Sequence, residues 1–233
     1  MKSTVSWQVL ARFPDYIRGV VIARSIDNRG ESTQLLELLR QEEQKATQDA
    51  SMQDIKNHPR IANWRQAYLK FGSNPNKFYP SVESLCRRAR RGDQLPYINT
   101  AVALFNYFSL KYVVPCGADD LSAANGDLSL ILAKGDEPFT PFNATTTEYP
   151  DPGEVIYYDG SAVMCRRWNW RQGDQTKLTE NTTDIVINID CLPPVTTDEA
   201  AALTAGLADL VGQFCRAEVR HALLNRDRNE ADI

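Results

Sequence analysis

The sequence predicts a protein of the mixed α/β (α+β) class, in which helices pack on mixed or antiparallel sheets. Apolar residues recur at helical spacing in three stretches of the first half of the chain, 33–47, 61–71 and 82–89. From residue 127 the pattern changes to short β-rich runs separated by proline and glycine clusters. A long helical pattern follows near the carboxyl end. The 233 residues, 42% of them hydrophobic, suffice for one core, so we predict a single domain over 1–233.

The first half of the chain predicts one strand followed by four helices. The short apolar run at 18–24 is typical of a buried strand. Ser81 precedes the third helical pattern and is in position to cap it, while Gly92 is in position to end it. The segment INTAVALFNYFSL is apolar almost throughout. It predicts a central helix that is buried on most sides, with Asn99 or Thr100 at its amino end.

The second half predicts strands and then a closing helix. The pair Asp159-Gly160 tolerates the positive backbone angles of a two-residue type I′ turn, so 154–170 is expected to form a hairpin. A capping-box pattern, Thr196-x-x-Glu199, begins a long helical stripe that we expect to be the last element. The polar segment 221–233 is then predicted to be a frayed tail.

Charge and cysteine content limit the classes of function. The net charge is -4, so contact with nucleic acid would have to come from the local basic patches at 87–91 and 166–171. The five cysteines are odd in number and contain no C-x-x-C pair, which favours a reducing compartment over a disulfide framework or a structural zinc site. Charged residues interrupt the amino-terminal apolar run, so we predict a soluble, cytoplasmic protein without a membrane segment.

Several chemistries lack their usual motifs. The chain has only two histidines, His58 and His221, and neither lies at a metal-ligand spacing or beside a nucleophile motif. It contains no G-x-S-x-G elbow, no Walker loop and no dinucleotide-binding glycine fingerprint. We therefore predict no metal and no cofactor, and disfavour triad hydrolases, P-loop NTPases and dinucleotide oxidoreductases.

The segment CRRWNWRQGDQTKLTENT, at 165–182, combines aromatic and basic residues. On a continuous strand Cys165, Arg167, Asn169 and Arg171 would share one face, while Arg166, Trp168 and Trp170 would share the other. One interpretation places the tryptophans in the core and the polar face in solvent. The alternative uses the arginines to bind phosphate and a tryptophan to stack on a base or ribose. Composition favours neither decisively.

The order of these segments resembles the B3/B4 region of the phenylalanyl-tRNA synthetase beta subunit, and more closely its free-standing B3/4 domain-containing relatives. The synthetase signature P-I-N-N-V-V-D-V-T-N-Y-V and the following L-x-x-G-x-P-L-H-A-F-D correspond to LPYINTAVALFNYFSLKYVVPCGADDL, at 95–121. The later A-G-V-M-G-G and S-x-V-T-x-x-T correspond to 165–191. HPRIANWRQAYLKFG, GEVIYYDG and CRRWNWRQGDQTKLTE resemble hallmarks of the free-standing relatives. The resemblance spans roughly 10–220.

The resemblance implies an editing site that hydrolyses the ester of a mischarged aminoacyl-tRNA. By position Asp190 matches the family's pocket glutamate, Cys165 its pocket alanine, Arg166 the following glycine, and Asn99 an asparagine of the P-I-N-N motif. Two departures stand out. Gly117 occupies the place of the family's histidine, and large residues replace glycines of V-M-G-G, which implies a different amino-acid specificity. The replacing residues are Trp168, Asn169 and Trp170.

The resemblance also suggests roles for individual residues. Asp190 would hold the substrate ammonium, and Asn99 with Thr100 or Thr179 would position the water or the carbonyl. The terminal phosphates of the tRNA partner would be bound by a basic group, namely Arg166, Arg171 and Lys177. Two alternatives stay open: a non-catalytic module that binds an amino acid or another small molecule, and an RNA-binding or adaptor protein that has lost the chemistry.

Overall fold

Ten strands and six α-helices, in an irregular order, make up the chain in the computed structural model, which describes residues 1–233. The mixed class is confirmed. The helices are α1 (Trp7–Arg12), α2 (Thr33–Gln48), α3 (Pro59–Lys70), α4 (Ser81–Arg90), α5 (Thr100–Tyr112) and α6 (Thr197–Cys215). The strands are β1 (Lys2–Val5), β2 (Ile17–Arg24), β3 (Cys116–Asp120), β4 (Leu128–Leu132), β5 (Val155–Tyr158), β6 (Val163–Arg166), β7 (Arg171–Gln172), β8 (Ile185–Cys191), β9 (Glu218–Leu224) and β10 (Glu230–Asp232).

The strands form two sheets. One has the order β10-β1-β4-β5-β6-β7 and is antiparallel except for the parallel pair β1 and β4. The other has the order β3-β8-β2-β9 and is antiparallel throughout. Its central strands β2 and β8 are buried along almost their whole length, as expected for strands covered on both faces. Helix α6 packs on β2 and β9, and α5 packs on α6 and α2.

A close approach between α6 and β2 depends on a glycine. A side chain at Gly19 would place its Cβ 2.2 Å from Thr204 Oγ1 of α6. The missing side chain therefore lets the helix lie directly on the sheet. Most of the buried apolar residues of both sheets and of the helices form one cluster of 57 residues. A separate cluster of four includes Ile156 of β5 and Val163 of β6. The division into a single domain, 1–233, stays a prediction.

Two of the three predicted helix caps are confirmed. The Asn99 side chain accepts a hydrogen bond from the Val102 amide at 3.0 Å, so Asn99 caps α5, which is buried on most sides as predicted. Thr196 caps α6 by accepting from the Glu199 amide at 3.2 Å. The Ser81 prediction was wrong, because Pro80 occupies the cap position and Ser81 is the first residue of α4.

The hairpin at 154–170 forms, but its turn is not the predicted two-residue type. Tyr158 pairs with Val163, so four residues connect β5 to β6. The Asp159 carboxylate accepts hydrogen bonds from the amides of Ser161 at 2.9 Å and Ala162 at 2.8 Å. An aspartate that satisfies the backbone of its own loop stabilises this wider connection.

The second strand of the hairpin is shorter than predicted. It ends at Arg166, because Arg167 and Trp168 have positive φ angles of 47° and 67°. The chain then reverses and β7 pairs with β6, with Arg171 opposite Arg166. The predicted alternation of faces through Arg171 was therefore wrong, since residues 167–170 form a turn and not a strand.

The carboxyl-terminal predictions need a second correction. Helix α6 is long, as predicted, but it is not the last element. The predicted polar tail, 221–233, contributes most of β9 and all of β10. Strand β9 pairs with β2, and β10 pairs with β1. Backbone pairing with existing strands orders this segment in spite of its polar composition.

Candidate functional site

A cavity of about 230 Å³ is lined by residues of both sheets and is partly open to solvent. Strands β3 and β8 of one sheet, strands β5, β6 and β7 of the other, and the turn at 167–170 contribute to it. Sites for drug-sized ligands are usually larger, about 300–1,000 Å³. This cavity suits a group the size of an amino acid. It is lined by Ser81, Pro115, Cys116, Gly117, Ala118, Asp119, Tyr157, Cys165, Trp168, Asn169, Trp170, Arg171, Gln172, Asn188 and Asp190.

Trp168 forms part of the cavity wall and is itself fully buried. Its ring meets three others edge to face, at centroid distances of 4.8 Å for Phe13, 4.9 Å for Tyr16 and 5.0 Å for Trp64. Such contacts favour a fixed ring orientation. Trp168 therefore belongs to the core and also sets the shape of the cavity.

Asp190 is buried in the cavity and is held by two phenols. Its Oδ1 accepts hydrogen bonds from Tyr16 at 2.5 Å and from Tyr157 at 2.6 Å, while Oδ2 lies 3.4 Å from the Asn169 amide nitrogen. Burial raises the pKa of the Asp190 carboxyl, although the hydrogen bonds from Tyr157 and Tyr16 and the charge of Arg18 oppose the rise. No cationic side chain of the protein forms an ion pair with Asp190.

A second carboxylate in the same cavity, Asp119, is also buried and also accepts hydrogen bonds from neutral side chains. Its Oδ1 accepts hydrogen bonds from Thr176 at 2.6 Å and Gln172 at 2.7 Å, and its Oδ2 accepts none. Burial raises the pKa of Asp119. One buried cation, Arg18, lies near these two carboxylates but does not line the cavity. When both carboxylates are ionised, the cavity favours a positively charged ligand group.

The two thiols of the cavity are poor nucleophiles. Burial raises the pKa of Cys165 well above its usual value, and the charges of Asp119 and Asp190 raise it further. The pKa of Cys116 is raised by burial and by Asp190. A thiol in an apolar, negatively charged setting stays protonated at neutral pH. All five cysteines of the chain are free.

Arg166, one of the predicted phosphate contacts, is engaged inside the protein. Arg166 and Arg167 are buried, and both form ion pairs with the buried Glu154, at 2.8 Å and 2.6 Å. The Arg167 guanidinium also lies 3.8 Å from the centre of the Phe78 ring. These contacts explain how one short stretch carries tryptophans and arginines together: the cations are neutralised inside the protein and stack on aromatic faces.

Arg171 and Lys177, the other predicted phosphate contacts, are more accessible. The Arg171 side chain is 43% exposed and stands at the cavity, with Glu148 3.8 Å away. Lys177 is partly exposed and forms an ion pair with Asp174 at 2.8 Å. These two cations, unlike Arg166, are available to a ligand outside the cavity.

Asn99, Thr100 and Thr179 lie outside the cavity. The Asn99 side chain is used in capping α5, and its amide nitrogen lies 3.5 Å from the Leu178 carbonyl oxygen. Asn28 connects the Thr179 segment to the start of α5, because it donates to the Thr179 carbonyl at 2.7 Å and accepts from the Ala101 amide at 2.9 Å. The structure thus brings together Asp190, Cys165, Trp168, Asn169 and Arg171, and does not bring the other predicted catalytic residues to them.

Sequence reasoning missed four residues that shape the site: Arg18, Asp119, Tyr157 and Asn188. One available signal was the strand IVINIDC, where Asn188 and Asp190 interrupt an apolar run two positions apart. Polar residues at that spacing share a face of a strand, and in a strand buried on both sides they need a specific reason. Arg18, inside the apolar run of β2, carried a similar signal.

Comparison with known proteins identifies the fold family. The family model of the B3/4 domain matches residues 63–216, which is well over half of the chain. The chain belongs to the B3/4 domain family. The matched range of this B3/4 protein includes every element of the cavity, from α4 to β8.

Among solved structures, the B3/4 protein is similar to the crystal structure of an N-terminal fragment of the phenylalanyl-tRNA synthetase beta-subunit from Pyrococcus horikoshii. The two share 10% sequence identity with a TM-score of 0.47, over 93% of this chain and 49% of that chain. The chain thus spans about half the length of that structure. No match was found among curated proteins. None of the helices combines the length and the apolar character that crossing a membrane requires.

Proposed function

We propose that the cavity binds the aminoacyl group of a mischarged aminoacyl-tRNA and that the protein hydrolyses its ester bond. The observation that carries the proposal is the pair of buried carboxylates, Asp119 and Asp190, without an ion-pair partner in a cavity of amino-acid size. A buried carboxylate costs free energy unless it is compensated. An α-ammonium group at Asp190 would supply that compensation, and membership of the B3/4 family supports the choice of ligand.

The reaction needs little from the protein beyond positioning. Water adds to the ester carbonyl carbon, the ester C–O bond breaks, and the terminal ribose oxygen leaves with a proton. The products are a free amino acid and a tRNA with a free terminal hydroxyl. Because the cavity thiols are protonated, we assign no covalent intermediate to Cys165 or Cys116. The neighbouring ribose hydroxyl of the tRNA assists the proton transfer, and fixed dipoles in the cavity stabilise the developing charge.

The tRNA end would approach along the open side of the cavity. Arg171 stands there, and Lys177 is the next partly exposed cation in the sequence. Both side chains can donate to terminal phosphates, whereas Arg166 is buried and would have to give up its ion pair with the buried Glu154. The proposal therefore assigns Arg171 and Lys177, and not Arg166, to the tRNA.

A deacylation screen tests this function. Purified protein is incubated with a panel of correctly and wrongly charged tRNAs, and release of the amino acid is measured. We expect hydrolysis of at least one mischarged species, and a loss of about 10- to 100-fold in the Asp190→Asn variant, as for removal of one charge-assisted hydrogen bond. Asp209→Asn, an exposed position on α6 outside the cavity, is the matched control and should keep the parent rate. Equal rates for the parent and Asp190→Asn on every tRNA would refute the assignment.

A second candidate function, binding of a small molecule without catalysis, is favoured by a specific observation. Arg166 and Arg167 form ion pairs with Glu154 inside the protein. A protein with few free cations at its site could bind a free amino acid or another small ammonium compound without acting on tRNA. Calorimetric titration separates the two. Binding of a free amino acid that changes little with salt, together with no release from any charged tRNA, would support the non-catalytic module.

A further inference from the structure

Asn188 is held in one orientation by Arg18. The fully buried Arg18 donates two hydrogen bonds to Asn188 Oδ1, from Nε at 2.9 Å and from Nη2 at 2.5 Å. A guanidinium has donors only, so the group facing it must be the amide oxygen and not the amide nitrogen. The third contact of Arg18, from Nη1 to the Thr4 carbonyl at 3.2 Å, keeps the guanidinium itself in place. The Asn188 amide therefore points its NH₂ group away from Arg18.

The Asn188 NH₂ group is a free donor at the cavity. Asn188 lines the cavity, and its Nδ2 donates to no protein atom. It is also absent from the fully enclosed, unpartnered atoms of the structure, so it has contact with the cavity space. The residue opposite on β3 is Gly117, and a Cβ there would meet no atom within 4 Å. The space beside the free donor is open.

A fixed donor thus lies next to a fixed acceptor. Asn188 and Asp190 both line the cavity from β8, and their Cα atoms are two residues apart, roughly 6.6 Å on an extended strand. An α-amino carbonyl group has the complementary pattern, with a cationic donor nitrogen three bonds away from an acceptor oxygen. Side chains at this separation can converge on such a group through two hydrogen bonds.

We propose that Asn188 Nδ2 binds the carbonyl oxygen of the aminoacyl group whose ammonium is bound by Asp190, and that Arg18 is a positioning residue for Asn188. This inference rests on the proposed function and names the group that stabilises the negative charge on the ester oxygen during hydrolysis. A pre-oriented amide donor is effective there because it needs no reorganisation as the charge develops. Asn188 is then a catalytic residue. The ammonium and the carbonyl oxygen of the aminoacyl group are bound by two side chains of the same strand, β8.

The test compares pairs of ligands that differ by the presence of a carboxamide group. From a panel of L-amino acid amides, the tightest binder is selected by calorimetry and paired with the primary amine that lacks its carboxamide. We expect Asn188→Ala to weaken the amide by about tenfold and to leave the amine unchanged, as for one lost hydrogen bond. Asp190→Asn should weaken both. Equal effects of Asn188→Ala on amide and amine, or no effect on either, would overturn the role of Asn188 while leaving the ammonium site intact.

A failure of the proposed function would give different binding and hydrolysis results from a failure of the Asn188 contact. If the parent protein binds no amide and no amine, both the ammonium site and the carbonyl site are refuted. If the parent binds the amide and Asn188→Ala selectively loses it, but no charged tRNA is hydrolysed, the carbonyl contact stands and the catalytic use of it is refuted.

Two further variants separate positioning from folding. Asn188→Asp keeps the shape and the acceptor for Arg18 but removes the donor, so it should weaken the amide and leave the amine at least as tightly bound. Arg18→Met should also lose the preference for the amide, because the freed amide can rotate, and Arg18→Lys should partly restore it. Thermal unfolding of each variant shows whether it folds. Where Arg18→Met does not fold, Asn188→Asp decides: an unchanged ratio of the amide affinity to the amine affinity would refute the proposal.

Discussion

At the scale of single residues, the two tryptophans of the CRRWNW segment have separate environments. Trp168 is fully buried among Phe13, Tyr16 and Trp64, whereas Trp170 is half-buried and packs on Phe78 at a centroid distance of 4.8 Å. Trp168 adopts a positive φ of 67°, which costs a non-glycine residue free energy. The dense packing of its ring offsets that cost. Neither ring lies free on the surface to stack on a base.

Replacing Trp168 should therefore destabilise the protein strongly. We expect Trp168→Ala to lower the free energy of unfolding by about 3–5 kcal/mol, because it leaves a large cavity in the aromatic cluster. Urea unfolding of the parent and the variant measures the change. Trp7→Ala is the matched control, since the Trp7 side chain is mostly exposed (60%), and it should change stability by about 0.5 kcal/mol or less. A similar small change at Trp168 would contradict its place in the core.

The pH dependence of stability tests the buried carboxyl of Asp190. Its pKa is raised above 3.8 in the folded protein, so the folded state holds a proton that the unfolded state releases as the pH rises from about 3.8. Stability from this group is present at low pH and is lost as the pH rises through the folded pKa. We expect Asp190→Asn to gain stability relative to the parent between pH 4 and pH 7, measured by denaturant unfolding.

Asp174 provides the control of opposite sign. The hydrogen bond and charge of Lys177 and the Asn143 amide lower the pKa of Asp174. Its stabilisation is present above the unfolded pKa and is lost as the pH falls, so Asp174→Asn should lose stability relative to the parent as the pH rises. A difference between Asp190→Asn and the parent that stays constant with pH would show that the Asp190 pKa does not change on folding.

At the scale of elements, the β6–β7 turn depends on Glu154. This buried carboxylate accepts hydrogen bonds from Arg166 Nε at 3.0 Å, from Arg167 Nη1 at 2.6 Å and from the Arg167 amide at 2.9 Å. Glu154 lies immediately before β5, so one side chain connects the start of the hairpin to the turn that shapes the cavity. Both arginines are thus paired with a carboxylate inside the protein.

Removing this carboxylate leaves two buried cations with solvent-exposed partners only, Glu148 for Arg166 and Asp151 for Arg167. Glu154→Ala is expected to reduce the free energy of unfolding by about 3–5 kcal/mol. Asp151→Ala, which removes an ion pair of Arg167 with a partner whose side chain is 79% exposed, should cost about 0–1 kcal/mol. Both values come from urea unfolding curves. Comparable losses in the two variants would show that burial of Glu154 does not decide the strength of the network.

At the scale of the whole molecule, the ends of the chain meet in one sheet. Strand β10 pairs with β1, the Val5 amide donates to the Asn229 carbonyl at 2.8 Å, and the Ile233 amide donates to the Met1 carbonyl at 3.0 Å. Ala231 and Ile233 are buried. The carboxyl-terminal residues therefore contribute to the same sheet that forms one side of the cavity.

Deleting residues 225–233 should measurably destabilise the protein. Losing the β10 pairing and the burial of Ile233 should cost about 3 kcal/mol. For a chain of this size, such a loss lowers the Tm by roughly 6 to 12 °C in a thermal unfolding scan. Arg226→Ala, an exposed position in the turn before β10, should leave the Tm close to the parent value. An unchanged Tm after the deletion would restore the prediction of a frayed tail.

The local order of the chain could be predicted from the sequence. The helical stripes, the buried strand at 18–24, the Asn99 and Thr196 caps and the presence of the hairpin all follow from short-range patterns, because spacing and capping chemistry act within a few residues. The ordered series of motifs was also sufficient to indicate the B3/4 family.

The composition of the site depends on tertiary contacts. Asp190 meets Tyr16 and Tyr157, and Arg18 turns Asn188 toward the cavity, through contacts between residues far apart in the chain. The pairing of Arg166 and Arg167 with Glu154 was likewise invisible to periodicity, and the turn at 167–170 replaced a plausible strand. The physical reason is that burial of charge is compensated by whichever partners the fold brings within hydrogen-bond distance, and no local pattern specifies those partners.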